Sequence, residues 1–385
     1  MPVLRNALPP RRRSESRPLS HAAQQDQAQR AGAHAPEDRV LAVAPSWVGD
    51  AILSEPLFAR IRDAGVEAPI DVIAPPWCGP VYARMRGIGR IIDSPAAHGE
   101  FAWQRRRALG VALRAARYTH AYVLPNTWKS ALVPWFAQVP RRIGYRGEAR
   151  YRLLTDARRL DRRGLPQLVA RYAALAVPRG EPAPAPAPPM LVPDAANLAR
   201  AMRALDLSRT RPIAVLCPGA EFGPAKRWPA EHFADLALRL ARDGFAVWIM
   251  GSPNDAPVAS ALEDALGGQA TAVTNLTGRT DLGTAIDLMS AARLVVSNDS
   301  GLMHAAAAVG APLVALFGSS SPMYTPPLSA SARIARIEIA CSPCFKRECP
   351  LGHFRCMREL HPELVYNLAR APTASAPSAP PAEFR

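Results

Sequence analysis

The stretch from Leu294 to Pro322, LVVSNDSGLMHAAAAVGAPLVALFGSSSP, restricts the possible folds more than any other. Leu294, Val295 and Val296 form a short apolar run with two β-branched residues, the pattern of a strand buried on both faces. Ser297 to Gly301 interrupts it with small polar residues. Leu302 to Val309 is alanine-rich and favours helix; Gly310 and Pro312 stop that helix. Leu313 to Phe317 reads as a second buried strand and Gly318 to Ser321 as a second polar loop. A strand–loop–helix–strand–loop unit binds its ligand beyond the carboxyl ends of the strands. Asp299, Ser300 and Gly301 fall at the mouth of the helix, where unbonded N–H groups and the helix dipole attract an anion such as a pyrophosphate. Asp299 would repel that guest, so its carboxylate is expected to cap the helix or to take a hydroxyl or amine.

The same alternation recurs through the chain. In the first half it predicts strands at 40–44, 70–74, 90–92, 121–124 and 142–144, and helices at 51–64, 103–116 and 129–136. In the second half it predicts strands at 213–217 and 246–250, and helices at 197–205, 230–243, 256–266 and 282–292 ahead of the opening stretch. Alternating strands and helices imply parallel sheets covered on both faces. Between the halves, Pro178 to Pro193 reads PRGEPAPAPAPPMLVP, a stiff Pro/Ala linker. The expected organisation is a disordered extension over 1–38, a domain over 39–177, the linker over 178–193, a domain over 194–370 and a disordered tail over 371–385. Two doubly wound α/β domains then face each other across a cleft.

The net charge of +15 is unevenly spread: residues 39–177 carry +12 and residues 178–385 only +1. The first domain should therefore meet an anionic partner, whether nucleic acid, an anionic lipid surface or a phosphorylated, carboxylated glycolipid; a merely solvated basic face is the alternative. No apolar run approaches the ~18 residues of a membrane span, and the first 38 residues lack a signal peptide's apolar core, so a cytoplasmic location is expected.

Several polar residues have the placement that chemistry needs. Asp50 follows Gly49 where the first strand gives way to a helix, as an N-cap, as a general base at the cleft, or as both. Lys226 lies in a loop, Pro218 to Trp228, that follows a strand and precedes a helix, within reach of a phosphate; the spacing is not that of a P-loop, and a solvated surface lysine is the alternative. His304 lies one turn into the alanine-rich helix, either buried and structural or in contact with a phosphate or sugar. Cys341, Cys344, Cys349 and Cys356, with His353 among them, match either a structural zinc site or a reduced loop of free thiols. The neighbouring Lys346, Arg347, Arg355 and Arg358 make an anion site there a further option. No G-x-G-x-x-G follows any expected strand, which argues against a nicotinamide-dependent dehydrogenase.

Three segments now carry a resemblance: APSWVGDAILSEPLF at Ala44–Phe58, CPGAEFGPAKRWPAEHFADLA at Cys217–Ala237 and SNDSGLMHAAAAVGAPLVALFGSSSPMYTPPLS at Ser297–Ser329. Over roughly residues 39–370 the chain resembles the lipopolysaccharide heptosyltransferases of glycosyltransferase family 9, in particular the branch that adds the second heptose. The resemblance implies a GT-B architecture of two Rossmann-like domains. It implies inverting transfer of L-glycero-D-manno-heptose from ADP-heptose to the first heptose of a Kdo–lipid A core, at the inner face of a Gram-negative inner membrane. It implies no cofactor, no metal in the chemistry and no nucleic-acid partner. By position it makes Asp50 the catalytic base and Lys226 the diphosphate ligand. Asp299, Ser300, Gly301 and His304 become the donor-binding motif; Glu221, Ser252 and Arg279 join the donor site by loop position alone. The first 38 residues, the long linker and the cysteine loop depart from the family pattern. A heptosyltransferase adding the first heptose, a nucleotide-sugar epimerase, or a glycolipid-binding protein on an inactive transferase fold are the competing expectations.

Overall fold

The computed structural model describes residues 37–96, 99–269 and 272–371. The expected disorder of the N-terminal extension and of nearly all the C-terminal tail falls outside them. Order reaches one residue earlier than expected: Asp38 is buried, with its carboxylate 3.5 Å from His120 Nδ1.

Two six-stranded sheets form, one from each half. The first comprises β1 (Val40–Val43), β2 (Ile70–Ala74), β3 (Ile88–Asp93), β4 (His120–Val123), β5 (Arg141–Tyr145) and β6 (Asp156–Arg158), in the order β3-β2-β1-β4-β5-β6. The second comprises β7 (Ile213–Cys217), β8 (Ala246–Ile249), β9 (Val273–Asn275), β10 (Leu294–Asn298), β11 (Leu313–Leu316) and β12 (Ala332–Ala335), in the order β12-β11-β10-β7-β8-β9. Every pairing is parallel. Both halves thus repeat the same doubly wound topology, with the strand order reversing between β1 and β4 and between β7 and β10. Those switch points open crevices beyond the strand carboxyl ends. The central strands β1, β4, β7, β10 and β11 are buried throughout, as their unbroken apolar runs require.

Three strands were not expected, β6, β9 and β12, and all three are sheet edges. Each is short and half-exposed, so it carries no continuous apolar run to announce it. The helix expected over 51–64 is two helices, Val48–Leu53 and Glu55–Asp63. Pro56 is the cause: it lacks an N–H and its ring clashes with the carbonyl four residues back. Ser54 fills the break, its hydroxyl donating to Ala51 O at 2.6 Å.

The Pro-rich stretch is tied to both halves along its length. Pro184 O accepts from Arg60 Nη2 at 2.5 Å, Leu191 N donates to Ala308 O at 3.0 Å, and Val192 N donates to Arg84 O at 2.8 Å. One apolar cluster runs from Ile52, Leu57 and Tyr82 in the first half to Leu288, Val295 and Met303 in the second. At the edge of this interface Asp287, fully buried, accepts from Arg84 of the opposite half (Nε at 2.7 Å, and Nη2), from Asn197 Nδ2 at 2.7 Å and from Asp194 N at 2.9 Å. These bonds hold the Asp287 carboxyl below the usual carboxylate range against the desolvation that would raise it. Removing one partner of a buried pair leaves the other uncompensated. Arg84→Met should therefore lower the unfolding free energy by about 3 kcal/mol in chemical denaturation; an unchanged midpoint would show that the latch is not under tension from burial.

Candidate active site in the interdomain cleft

The crevice at each switch point is lined by loops that follow central strands. In the first half the loop after β1 leads into the helix Val48–Leu53, whose first turn carries Asp50. Asp50 is therefore inside the helix and is not its N-cap; Trp47 occupies that position, in an extended conformation and without a side-chain capping bond. In the second half the loops after β7 and β10 bring Lys226 and the mouth of the helix Gly301–Ala308.

The two helix mouths meet. A Cβ on Gly49 would lie 2.9 Å from His304 Cδ2, and one on Gly301 would lie 2.9 Å from Val48 Cβ. Glycine at both positions is what allows the halves to close to this distance. Gly49→Val should force them apart and lower turnover at least tenfold, since about 1 Å of misplacement at a reacting centre costs ~10²-fold. Donor affinity should fall less; equal losses in both would place Gly49 in the donor site itself.

Asp50 borders this contact. Burial raises its carboxyl to about 6, and the positive charge of Lys226 opposes the rise. The charge of Lys226 in one half is thus felt by Asp50 in the other. Beneath Asp50 lie Cys78, Tyr82 and Tyr172, all buried. Burial is the main cause of their raised pKa values, and the Asp50 charge adds to it, with Cys78 pushed up to about 12. They stay neutral, so Asp50 is the group here that changes charge near neutral pH.

Lys226 Nζ donates to Asp299 Oδ2 at 2.5 Å and lies 4.9 Å from the Phe222 ring centroid. The same carboxylate oxygen accepts from Ser320 Oγ at 2.5 Å. Asp299 has thus taken an amine and a hydroxyl. It does not cap the helix, because Ser300, at the N-cap position, is extended and makes no side-chain capping bond. The first N–H groups of Gly301–Ala308 are left for an anion. One of the three ammonium protons of Lys226 serves Asp299, which leaves two for a guest. His304 is buried; burial pushes its imidazole down to about 4 despite the opposing pull of Asp299, so it is neutral at physiological pH.

A model of glycosyltransferase family 9 (heptosyltransferase) matches residues 106–355. The chain belongs to that family. Lipopolysaccharide heptosyltransferase 2 of Salmonella typhimurium is 42% identical over 334 residues, covering 85% of this chain and 96% of that protein. Lipooligosaccharide heptosyltransferase 2 of Haemophilus influenzae is 44% identical over 308 residues, 77% of this chain and 88% of that one. Lipopolysaccharide heptosyltransferase 1 of Pseudomonas aeruginosa aligns over only 125 residues at 31% identity, 32% of this chain and 34% of that protein. Among solved structures, E. coli ADP-heptose LPS heptosyltransferase II superposes with a TM-score of 0.77 at 41% identity, covering 86% of this chain and 97% of that one. The architecture is therefore the two-domain GT-B arrangement of this family.

The residues given to the donor site by loop position alone all lie in loops after strands of the second sheet, at the same edge as Lys226. Ser252, after β8, donates both N–H and hydroxyl to Asp255 Oδ2, at 2.9 and 2.8 Å. Arg279, after β9, is exposed and reaches Asn275 O at 3.4 Å. Glu221 is exposed in the loop before Lys226. A residue that the sequence alone did not single out also organises the site. Asn298, fully buried, accepts from Trp228 N at 3.1 Å and donates to Pro218 O at 2.7 Å, pinning both ends of the Lys226 loop to β10. Its position beside Asp299, at the end of a buried strand, was the available signal.

None of the four cysteines is in a disulfide, and among the described residues no group of three or more His, Cys, Asp or Glu side chains is arranged to hold a metal ion. Their segment buttresses the donor loops. Phe345 N donates to Ser319 O at 2.7 Å, Ser342 Oγ to Gly318 O at 2.7 Å, Ala225 N to Arg347 O at 3.0 Å and Arg347 Nε to Phe222 O at 2.6 Å. Its arginines are occupied locally: Arg347 and Arg358 lie over Phe222 and Phe354, and Arg355 pairs with Glu359.

Proposed function

We propose that this enzyme transfers L-glycero-D-manno-heptose from ADP-heptose to the first heptose of a lipopolysaccharide inner core, with inversion. The observation that carries the mechanism is that the helix start bearing Asp50 meets the helix mouth beside Lys226 and Asp299, with Gly49 against His304. Asp50 takes the proton of the acceptor hydroxyl as its oxygen attacks the anomeric carbon. The bond from that carbon to the ADP oxygen breaks on the opposite face, and its electron pair leaves with the diphosphate. Single displacement from the opposite face inverts the centre, which passes through oxocarbenium character. Lys226 and the N–H groups at Gly301 offset the charge that grows on the leaving diphosphate. Neutral His304 contributes a hydrogen bond there, not a charge.

Transfer of the second heptose is favoured over the first because the extended, high-identity relatives are type 2 enzymes, whereas the type 1 match is confined to a third of the chain. The acceptor is lipid-borne, and no helix among the described residues is long and apolar enough to cross a membrane. Peripheral attachment at the cytoplasmic face of a Gram-negative inner membrane accommodates both. The test is product mass: purified enzyme with ADP-heptose should add one heptose to a core ending in a single heptose and none to a Kdo-terminated core. The reverse preference would assign the first transfer.

A further inference from the structure

The first half exposes an unusual number of large aromatic rings. Trp47, Trp77, Phe101, Trp103, Trp135 and Tyr151 are each between 40% and 60% exposed. Each follows one of the strands β1 to β5, and because all these strands are parallel, the segments after them begin at the same edge of the sheet. Asp50 follows β1 at that edge. Exposed apolar surface on this scale marks an interaction face.

The outer part of the rim is built, not incidental. Phe101 and Trp103 lean on Trp128, with centroids 5.7 and 6.3 Å away and ring planes within 26°. Trp103 and Trp135 both pack edge-on against Phe136, at 5.1 and 4.8 Å. Beneath them the buried Arg106 guanidinium donates to Phe101 O at 2.7 Å and Lys129 O at 3.3 Å, locking together the two loops that carry the rings. The segment that carries the rings is strongly basic, flanked by Glu100, which pairs with Arg105, and by Glu148, which accepts from Trp128 N at 2.7 Å. Residues 101–147 hold eight arginines and one lysine, and no Asp or Glu. Arg105, Arg107 and Arg114 are exposed along the helix Trp103–Leu113 and its end, where Arg105 pairs with the half-exposed Glu100.

We propose that this rim is a membrane-docking surface: Phe101, Trp103 and Trp135 enter the headgroup region of a bilayer whose anionic lipids meet Arg105, Arg107 and Arg114. Tryptophan rings favour the interface between water and hydrocarbon, and each basic side chain near an anionic leaflet adds about 1 kcal/mol. Docked in this way, the edge that carries Asp50 faces the surface from which a lipid-borne sugar is presented. The inference rests on the proposed acceptor for its purpose but not for its geometry.

Co-sedimentation of the full chain with phosphatidylcholine vesicles, with and without phosphatidylglycerol, tests it. The chain should bind the anionic vesicles, bind the zwitterionic ones at least tenfold more weakly, and be released by salt as the Debye length shortens. Two independent triple variants, F101S/W103S/W135S and R105E/R107E/R114E, should each lose vesicle binding at least tenfold while turning over a deacylated, water-soluble acceptor at the normal rate. Vesicle binding that survives both variants overturns the proposal. So does an unaltered chain that ignores anionic vesicles but binds single-stranded RNA, which would make the basic aromatic rim a nucleic-acid surface. Failure of the unaltered chain to use the soluble acceptor would instead overturn the enzymatic reading and leave the vesicle result standing.

Discussion

Replacing Asp50 by Asn leaves ADP-heptose binding nearly intact and lowers turnover by ~10²-fold or more. The proposed mechanism makes the carboxylate the proton acceptor in the gap and leaves the donor to the other half, so the loss should fall on kcat. The pH dependence carries the same signature. With the carboxyl at about 6, the unliganded enzyme loses its base as pH falls through that value. The kcat/KM of the wild type should therefore drop on the acid side with an inflection near pH 6, and the Asn variant should lack that limb. Stability moves in the opposite direction. Folding disfavours the charged carboxylate, so this group's penalty is absent below its unfolded value of 3.8 and complete above about 6. Asp50→Asn should be more stable than the wild type at pH 7–8, by up to about 3 kcal/mol from a two-unit shift, and indistinguishable from it below pH ~4. A variant that turns over normally would remove Asp50 from the mechanism; one that is less stable at pH 8 would show that burial does not raise its carboxyl.

Lys226→Ala should weaken ADP-heptose binding by roughly 10- to 100-fold, the scale of a lost charge-assisted hydrogen bond in a sheltered site. It also strips Asp299 of its ammonium partner and leaves Ser320 Oγ as the remaining side-chain donor to Oδ2. Thermal stability should drop along with affinity. The double variant Lys226→Ala/Asp299→Asn separates the two effects: removing the stranded charge should restore stability while donor affinity stays low. Calorimetry and thermal unfolding on the four proteins close the cycle. An unchanged donor Kd in Lys226→Ala would count against the phosphate role; recovery of affinity in the double variant would mean that Asp299, not the donor, was what Lys226 served.

Much of this protein was legible in its sequence because the signals were local. The apolar runs at Val40, Ile213, Leu294 and Leu313 are central strands, because a strand covered on both faces needs continuous apolar residues. The Ser297–Gly301 break marked a helix mouth for the same local reason: small polar residues end a strand and open a helix. The edge strands β6, β9 and β12 were hidden because an edge is half-exposed and its composition is that of a loop. Pro56 could have announced the broken helix, but it was outweighed by the apolar spacing of Ile52, Leu57 and Ile61 on either side.

What the sequence by itself determined is two parallel α/β halves, with a carboxylate after the first strand of one and a helix mouth of small polar residues in the other. What only the tertiary structure decided is how those parts meet. Gly49 against His304, Gly301 against Val48, Arg84 in Asp287 and the row of rings beyond β1 to β5 join residues far apart in the chain. Parallel strands return every crossover to the same edge, and interdomain packing selects which side chains touch. Neither leaves a mark within the few residues over which sequence periodicity can be read.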